Sequence, residues 1–159
     1  MVEAVEINEF LNNLTGEYSE KERSLIEKAC HFAEEAHRGQ KRASGEPYFY
    51  HCLAVASLLD ELQMDSMTVC SGLLHDIIED TAVNNNLLSG LFPPPIPHLV
   101  NGVTKISSIN FRSAREKQAE NLRRMILAMA RDIRVIIIKL CDRLHNMRTL
   151  EYLPPPKQT

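Results

Sequence analysis

The stretch Ser66–Thr81, with the sequence SMTVCSGLLHDIIEDT, combines a buried-helix pattern with a cluster of ionisable groups. Apolar residues that recur at intervals of three and four are typical of a helix packed on one side. The residues with this spacing are Met67, Val69, Cys70, Leu73, Leu74, Ile77 and Ile78. The pattern predicts one helix from Ser66 to Asp80, with His75 and Asp76 between core positions.

The polar groups at the end of this predicted helix form two columns. Because positions four apart share a helix face, His75 should lie below Glu79, and Asp76 below Asp80. Three carboxylates and an imidazole at such short range repel one another and lose hydration where they are half buried. A divalent metal ion is the simplest partner that would offset this cost.

The composition indicates one globular domain. The chain has 159 residues, of which 44% are hydrophobic and 25% are charged, and a chain of this size buries a substantial core. No apolar run approaches the roughly 20 residues that span a bilayer, and the acidic start, Met1–Glu6, has no signal-peptide pattern. We therefore expect a cytoplasmic protein without a membrane partner.

The charged and aromatic residues narrow the class of partner. Residues 43–104 contain acidic side chains and no Lys or Arg, whereas residues 105–148 are strongly basic. Such segregation is typical either of solvated faces or of a metal site beside a phosphate-binding rim. With 5 Phe, 4 Tyr and no Trp, the basic half lacks the aromatic residues of a stacking platform, so we expect no nucleic-acid partner. The four cysteines form no C-x-x-C pair and should be free thiols.

The remaining segments predict an all-α protein without an internal repeat or a β-hairpin. A capping box at Ser19–Glu22 marks the start of one helix, and the proline-rich part of Thr81–Pro97 cannot be interior helix. We expect Thr81–Pro97 to be a surface excursion around one short helix. The other predicted helices run over Val5–Leu14, from Ser19 to about Gly39, over His51–Leu62, over Ala114–Met129 and over Arg131–Leu150.

Two stripes of side chains run along the last predicted helix. The apolar spacing that favours a helix over a strand is carried by Ile133, Ile137, Leu140, Leu144 and Met147. A second stripe begins with Val135 and Ile138 and continues with Asp142 and then His145 or Asn146. This second stripe places Asp142 on a face whose earlier turns should be buried.

Three separate segments offer metal-ligand side chains: His51, the pair His75-Asp76, and Asp142. Two imidazoles and two carboxylates suit a first-row divalent ion with positions left for water and substrate. Glu79 and Asp80 could orient that water or take its proton. Hydrogen-bonded core histidines and a simple ion pair of Asp142 are the alternative interpretation, and spacing alone leaves both open.

Four longer motifs narrow the choice. They are GQKRASGEPY at residues 39–48, HDIIEDT at residues 75–81, GVTK at residues 102–105 and DRLHNMRTL at residues 142–150. Together with His51, they resemble the N-terminal hydrolase domain of the RelA/SpoT homologues, which are HD-domain metal-dependent phosphohydrolases. The resemblance extends over about Glu20 to Leu153.

The resemblance implies an all-α HD-domain bundle that removes pyrophosphate from the 3′ position of ppGpp or pppGpp, giving GDP or GTP. By the same resemblance, Glu79 and Asp80 form the acidic pair that activates the attacking water. The implied ligands of Mn²⁺ are His51, His75, Asp76 and Asp142. The positions that match the guanosine nucleotide pocket are Arg42, Ser44, Asn146 and Thr149. The cations in or beside the motifs are Lys41, Arg42, Lys105, Arg143 and Arg148.

The sequence departs from the family pattern at several places. Cys52 follows the first histidine where a proline is usual, Asn101 replaces an acid, and residues 93–97 replace a glycine-and-acid stretch. Family hydrolase domains also continue through further helices. We therefore expect residues 1–159 to be a single HD hydrolase domain that is C-terminally incomplete and has no synthetase or regulatory domain. The alternatives are a phosphohydrolase for another nucleotide and an inactive alarmone-binding or regulatory module.

Overall fold

The computed structural model describes residues 2–107, 119–120, 122–123, 127 and 132–150. These ranges contain helices and no β-strand, so the all-α prediction is confirmed for the part of the chain that they cover. The helices are α1 Val2–Asn12, α2 Glu20–Ala36, α3 Phe49–Glu61, α4 Ser66–Leu73, α5 Ile77–Asp80, α6 Asn85–Leu91, α7 Pro95–Ser107 and α8 Ile133–Arg148. Of the predicted helix Ala114–Met129, five described residues are helical and the rest lies outside the described ranges.

Helix α4 lies at the centre of the bundle. It packs against α2, α3, α7 and α8, and each of its residues except Met67 is buried. Gly72 allows the close crossing of α3, because a Cβ atom at this position would collide with the buried Leu59 side chain. The predicted apolar stretch therefore forms the core around which the other helices are arranged.

The predicted single helix from Ser66 to Asp80 is wrong, because a turn divides it into two helices. Helix α4 ends at Leu73 and α5 begins at Ile77. In the turn between them, Nδ1 of His75 lies 2.7 Å from the carbonyl oxygen of Gly72, so the side chain competes for an acceptor of the last helical turn. The turn lets His75 and Asp76 point to the same place instead of standing on neighbouring columns.

The helix boundaries elsewhere follow the predictions closely. Ser19 caps α2 by accepting a hydrogen bond from the backbone N–H of Glu22 at 3.2 Å, as the capping box indicates. Helix α7 begins at Pro95, which places Pro95 and Pro97 in its first turn, where a missing N–H costs nothing.

Residues 81–97 contain one short helix, α6, as predicted, but they do not lie only on the surface. Leu88, Phe92 and Ile96 are buried, so the predicted surface excursion packs its apolar residues on the core.

Helix α8 buries the second of its two predicted stripes. Val135, Ile138, Cys141 and Asp142 are buried, and Gly102 of α7 allows close contact with Val135. The stripe whose spacing predicts the helix lies largely on the surface: Ile133 is 59% exposed, Leu140 60%, Leu144 40% and Met147 66%. Apolar spacing therefore identifies the helix, but not the face that packs on the core.

Two further predictions concern the cysteines and the absence of a membrane-spanning helix. All four cysteines are buried and free, as the sequence predicts. Within the described part of the chain, no helix has both the length and the apolar character needed to cross a membrane.

Candidate functional site

The four predicted metal-ligand residues converge at one point in the centre of the bundle. His51 comes from α3, His75 and Asp76 from the turn between α4 and α5, and Asp142 from α8. One ligand atom from each residue lies within 4.8 Å of the others, and all four residues are buried. Nε2 of His51 is 2.7 Å and Nε2 of His75 is 3.3 Å from Oδ1 of Asp142. Two imidazoles and two carboxylates therefore face a common centre.

The two histidines are each held by their other ring nitrogen. Nδ1 of His75 lies 2.7 Å from the Gly72 carbonyl oxygen, and Nδ1 of His51 lies 2.7 Å from Nδ1 of His145. Metal-binding histidines in proteins usually have such an outer partner, which orients the ring and selects the tautomer. In both residues the Nε2 atom is the one that faces the carboxylates.

The two carboxylates also have outer partners. Nζ of Lys139 donates to Oδ2 of Asp142 at 2.8 Å and to the Ser107 hydroxyl at 2.9 Å. This leaves Oδ1 of Asp142 to face the imidazoles. The hydroxyl of Tyr48 donates to Oδ2 of Asp76, which lies 2.8 Å from Nε2 of His75. Each predicted ligand is therefore oriented by a second contact.

The cluster is strongly coupled electrostatically. Burial disfavours a charged His75, but the adjacent Asp76 and Asp142 carboxylates raise its pKa to about 10. Burial opposes ionisation of Asp142 as well, yet hydrogen bonds from His51 and His75 hold the pKa of this carboxyl far below its usual range. A proton on His75 and the Lys139 ammonium thus lie beside the two buried carboxylates, and a divalent cation could take the place of the proton.

Glu79 and Asp80 lie on α5, directly after the ligand-bearing turn. Both residues are exposed. Partial burial of the carboxyl groups, followed by the charge of Asp76, raises the pKa of Glu79 and of Asp80. A carboxylate whose pKa is raised toward neutrality is a better proton acceptor in catalysis than an ordinary one.

The backbone of Asp80 is tied to the loop that precedes α3. Nε2 of Gln40 donates to the Asp80 carbonyl oxygen at 2.6 Å, and Oε1 of Gln40 lies 3.0 Å from Nδ1 of His37. His37 is buried, and its ring packs on that of Tyr48 with centroids 5.0 Å apart. These contacts join the backbone at the end of α5 to the segment that precedes α3.

The loop at residues 41–47 forms one wall of a neighbouring cavity. An isolated antiparallel bridge joins Lys41 to Pro47, and the backbone N–H of Arg42 donates to the Glu46 carbonyl at 2.9 Å. Gly45 has a φ of 90°, a conformation that suits glycine and allows the tight reversal. The loop thereby turns Arg42 and its neighbours toward the end of α8.

The four predicted nucleotide-pocket residues line the same cavity, which has a volume of about 200 Å³. Nη2 of Arg42 donates to Oδ1 of Asn146 at 2.9 Å and to the Thr149 hydroxyl at 3.1 Å. Among the described residues, the lining consists of Lys41, Arg42, Ala43, Ser44, Tyr48, Asn146 and Thr149. The cavity adjoins the cluster of the four predicted metal ligands, since Nδ2 of Asn146 also lies 3.4 Å from Oδ1 of Asp142.

Comparison with known proteins identifies the family of this chain. The sequence pattern that defines the HD domain matches residues 29–159. The chain belongs to the HD-domain family. A solved structure described as "A metazoan ortholog of SpoT hydrolyzes ppGpp and plays a role in starvation responses" superposes on this HD domain with a TM-score of 0.64 and 27% identity, over 86% of this chain and 74% of that one.

Curated relatives of this HD domain are more similar in sequence. A probable guanosine-3′,5′-bis(diphosphate) 3′-pyrophosphohydrolase of Synechocystis is 54% identical over 84% of this chain. The bifunctional (p)ppGpp synthase/hydrolase SpoT of Escherichia coli K12 is 48% identical over 94% of it. The chain spans 18% and 22% of the lengths of these two relatives. The resemblance to the RelA/SpoT homologues is thereby confirmed.

Three residues that contact the predicted metal ligands were not predicted from the sequence to do so: Tyr48, Lys139 and His145. Lys139 could have been found, because a position three residues before Asp142 shares its helix face. Tyr48 stands inside the first motif and His145 inside the last, but no pattern in the sequence shows which ligand each one contacts. Of the predicted cations, Lys41 and Arg42 line the cavity. Lys105, Arg143 and Arg148 are not among its lining residues.

Proposed function

We propose that this HD domain hydrolyses the 3′-diphosphate ester of ppGpp or pppGpp, releasing pyrophosphate and leaving GDP or GTP. The observation that carries the proposal is the position of a buried His₂Asp₂ cluster beside a cavity lined by Arg42, Ser44, Asn146 and Thr149. The names of the curated relatives, and the ppGpp hydrolysis ascribed to the solved neighbour, support the same substrate. We propose that residues 1–159 act as one hydrolase domain.

The cluster fits a divalent metal by its donor chemistry. Imidazole and carboxylate ligands, closely spaced and carrying more negative than positive charge, suit a first-row divalent ion such as Mn²⁺. His51, His75, Asp76 and Asp142 would hold it. A bound ion would supply Lewis-acid stabilisation of a phosphate oxygen and make a water more acidic. We propose Mn²⁺ because of the family resemblance, since this donor set accepts several divalent ions.

Glu79 and Asp80 are proposed as the proton acceptors for the attacking water. They stand one turn beyond Asp76, and the backbone N–H of Asp80 donates to the Asp76 carbonyl at 3.0 Å. Partial burial and the charge of Asp76 raise their pKa, which makes them better proton acceptors than ordinary carboxylates. A carboxylate oxygen of this pair would take the proton while the water oxygen bonds to the phosphorus next to the 3′ oxygen and the bond between that phosphorus and the 3′ oxygen breaks. The proton would then pass to the 3′ oxygen, which leaves as a hydroxyl of the nucleotide.

Arg42 is proposed to change partners when substrate binds. Its guanidinium bridges Asn146 and Thr149 across the cavity, and a volume of about 200 Å³ is below the roughly 300–1,000 Å³ of ligand pockets. A guanidinium binds phosphate in a bidentate manner. Rotation of Arg42 onto a phosphate would therefore enlarge the cavity. It would also free the side chains of Asn146 and Thr149 to form hydrogen bonds with the nucleoside.

The test is pyrophosphate release from ppGpp by the purified chain, with Mn²⁺ and with a chelator. We expect metal-dependent release that is lost in Asp80→Asn and in His75→Ala. His31→Ala is the matched control, because His31 is exposed on α2 and should leave release unchanged. No release by a folded, metal-loaded chain would overturn the proposal. Turnover of other nucleotides, with none of ppGpp, would instead favour an HD phosphohydrolase of different specificity.

A further inference from the structure

We infer that His145 is a positioning residue that fixes the tautomer and ring orientation of His51. The inference rests on the proposed metal site and extends it to a residue outside the ligand set. Nδ1 of His145 lies 2.7 Å from Nδ1 of His51, and the two rings are 4.9 Å apart with an interplanar angle of 32°. This distance between the two nitrogens is within the range of a direct hydrogen bond.

His51 has no freedom to find another partner. It is 1% exposed, and its Nε2 atom lies 2.7 Å from Oδ1 of Asp142. The rings of Tyr48 and His75 pack against it, with centroids 5.5 Å and 5.1 Å away. Both ring nitrogens therefore have defined neighbours, and the neighbour of Nδ1 is His145.

The chemistry of a nitrogen–nitrogen hydrogen bond decides which atom donates. One of the two Nδ1 atoms must carry the proton and the other must offer a lone pair. A metal ion at Nε2 of His51 needs the lone pair of that atom, so the proton of the neutral ring must be on Nδ1. In the metal-loaded site, His51 is thus the donor and Nδ1 of His145 is the acceptor, with the His145 proton on Nε2.

The position of His145 on α8 allows one helix both to provide a metal ligand and to orient another. His145 lies one turn after Asp142, so the helix that provides a ligand also orients a ligand from α3. The Thr149 hydroxyl donates to the His145 carbonyl at 3.1 Å, which joins the end of this turn to the substrate cavity. Loss of the His145 ring should therefore weaken metal binding more than it changes the shape of the cavity.

The experiment compares His145→Ala and His145→Asn with the unchanged chain and with His31→Ala. In His145→Asn, the side-chain oxygen can still accept a hydrogen bond from His51, whereas alanine offers no acceptor. Zn²⁺ affinity is measured by competition with a chelator. The tautomer of His51 is measured in the Zn²⁺-loaded protein by long-range ¹H–¹⁵N correlation of ¹⁵N-labelled histidine, with assignment from a His51→Gln sample.

We expect His145→Ala to weaken Zn²⁺ binding by about 10- to 100-fold, the usual effect of removing an outer partner of a ligand. The His51 Nδ1–H signal should lose its hydrogen-bonded shift in this variant. His145→Asn should recover most of the affinity, and His31→Ala should have no effect. Because neither readout uses substrate, failure of the proposed hydrolysis would leave the result intact.

Equal Zn²⁺ affinity and an unchanged His51 signal in His145→Ala would overturn the inference. If the alanine variant fails to fold, the asparagine variant decides, because it retains a polar side chain of similar size at the same place. A folded His145→Asn protein whose loaded His51 carries its proton on Nε2 would equally contradict the assigned donor.

Discussion

The Tyr48 hydroxyl donates a hydrogen bond to Oδ2 of Asp76, the oxygen that lies 2.8 Å from Nε2 of His75. Tyr48 also lines the cavity that contains Arg42, so one side chain touches both the predicted metal cluster and the predicted nucleotide pocket. This contact crosses from the loop before α3 to the turn after α4. It makes the orientation of a proposed ligand dependent on the loop that forms the pocket.

Tyr48→Phe should weaken metal binding without unfolding the protein. Phenylalanine retains the packing against His37 and His51 but cannot orient Asp76. We expect Mn²⁺ affinity to fall by about 10- to 100-fold, measured by isothermal titration. Tyr18→Phe is the control for loss of a phenol hydroxyl, because Tyr18 bonds to Asp60 away from the cluster. Equal loss of Mn²⁺ affinity in both variants would contradict a specific role for Tyr48.

Lys139→Met should destabilise the metal-free protein. The Lys139 ammonium is the cationic partner of Oδ2 of the buried Asp142, and methionine fills similar space without the charge. A hydrogen bond to a charged group contributes roughly 1.5–3 kcal/mol, so we expect the free energy of unfolding in urea to fall by about 2 kcal/mol. Lys21→Met, at an exposed position on α2, is the comparison. If both variants lose the same stability, the Asp142 contact is not the cause.

Glu79→Gln should stabilise the metal-free protein at neutral pH. Partial burial and Asp76 raise the pKa of Glu79 above its ordinary value of 4.5, so the folded state holds its proton more tightly than the unfolded state does. Stability therefore decreases as pH rises from about 4.5 through the raised pKa. Glutamine carries no such charge, so the variant should have the higher Tm at pH 7.

The Glu79→Gln variant also tests how the effect of Glu79 on stability depends on pH. Below the ordinary glutamate pKa both proteins are neutral at this position, and the difference in Tm should disappear. Thermal unfolding of the two proteins, followed by circular dichroism between about pH 4 and pH 8, measures this directly. A variant that is less stable than the parent chain at pH 7 and equal to it at pH 4 would reverse the assigned sign.

Substitutions on the two stripes of α8 should differ strongly. Ile138 is fully buried, whereas Leu140 is 60% exposed. Ile138→Ala should reduce the free energy of unfolding by about 2–5 kcal/mol through lost burial and a residual cavity. Leu140→Ala should change it by no more than about 0.5 kcal/mol. Chemical denaturation of the pair measures both, and a larger cost at Leu140 would mean that the first stripe is the packed one.

Much of the architecture could be predicted from local patterns. The three- and four-residue spacing identified the central apolar segment and the last helix, and the Ser19 capping box marked the start of α2 within one residue. Local hydrogen bonding and side-chain burial on one face act over a few residues, so they leave a readable pattern in the chain. The metal-ligand residue types were recognisable for the same reason, since each occurs at the end or on the polar face of an apolar run.

The break at His75 and the buried face of α8 could not be predicted in this way. The apolar spacing continues through the break, because Leu74 and Ile77 face the same core on either side of the turn. On α8 both stripes are apolar at their start. Which one is buried depends on contacts with α3 and α7, where Gly102 accommodates Val135.

The sequence by itself determined an all-α chain, the elements that carry its ligand-type side chains, and the family to which the chain belongs. Only the tertiary structure decided that these side chains meet, since 91 residues separate His51 from Asp142, and that His145, Lys139 and Tyr48 orient them. The physical reason is the distance along the chain over which each kind of interaction acts. Helix formation depends on neighbours within a few positions, whereas the contacts of a ligand depend on how distant helices pack around α4.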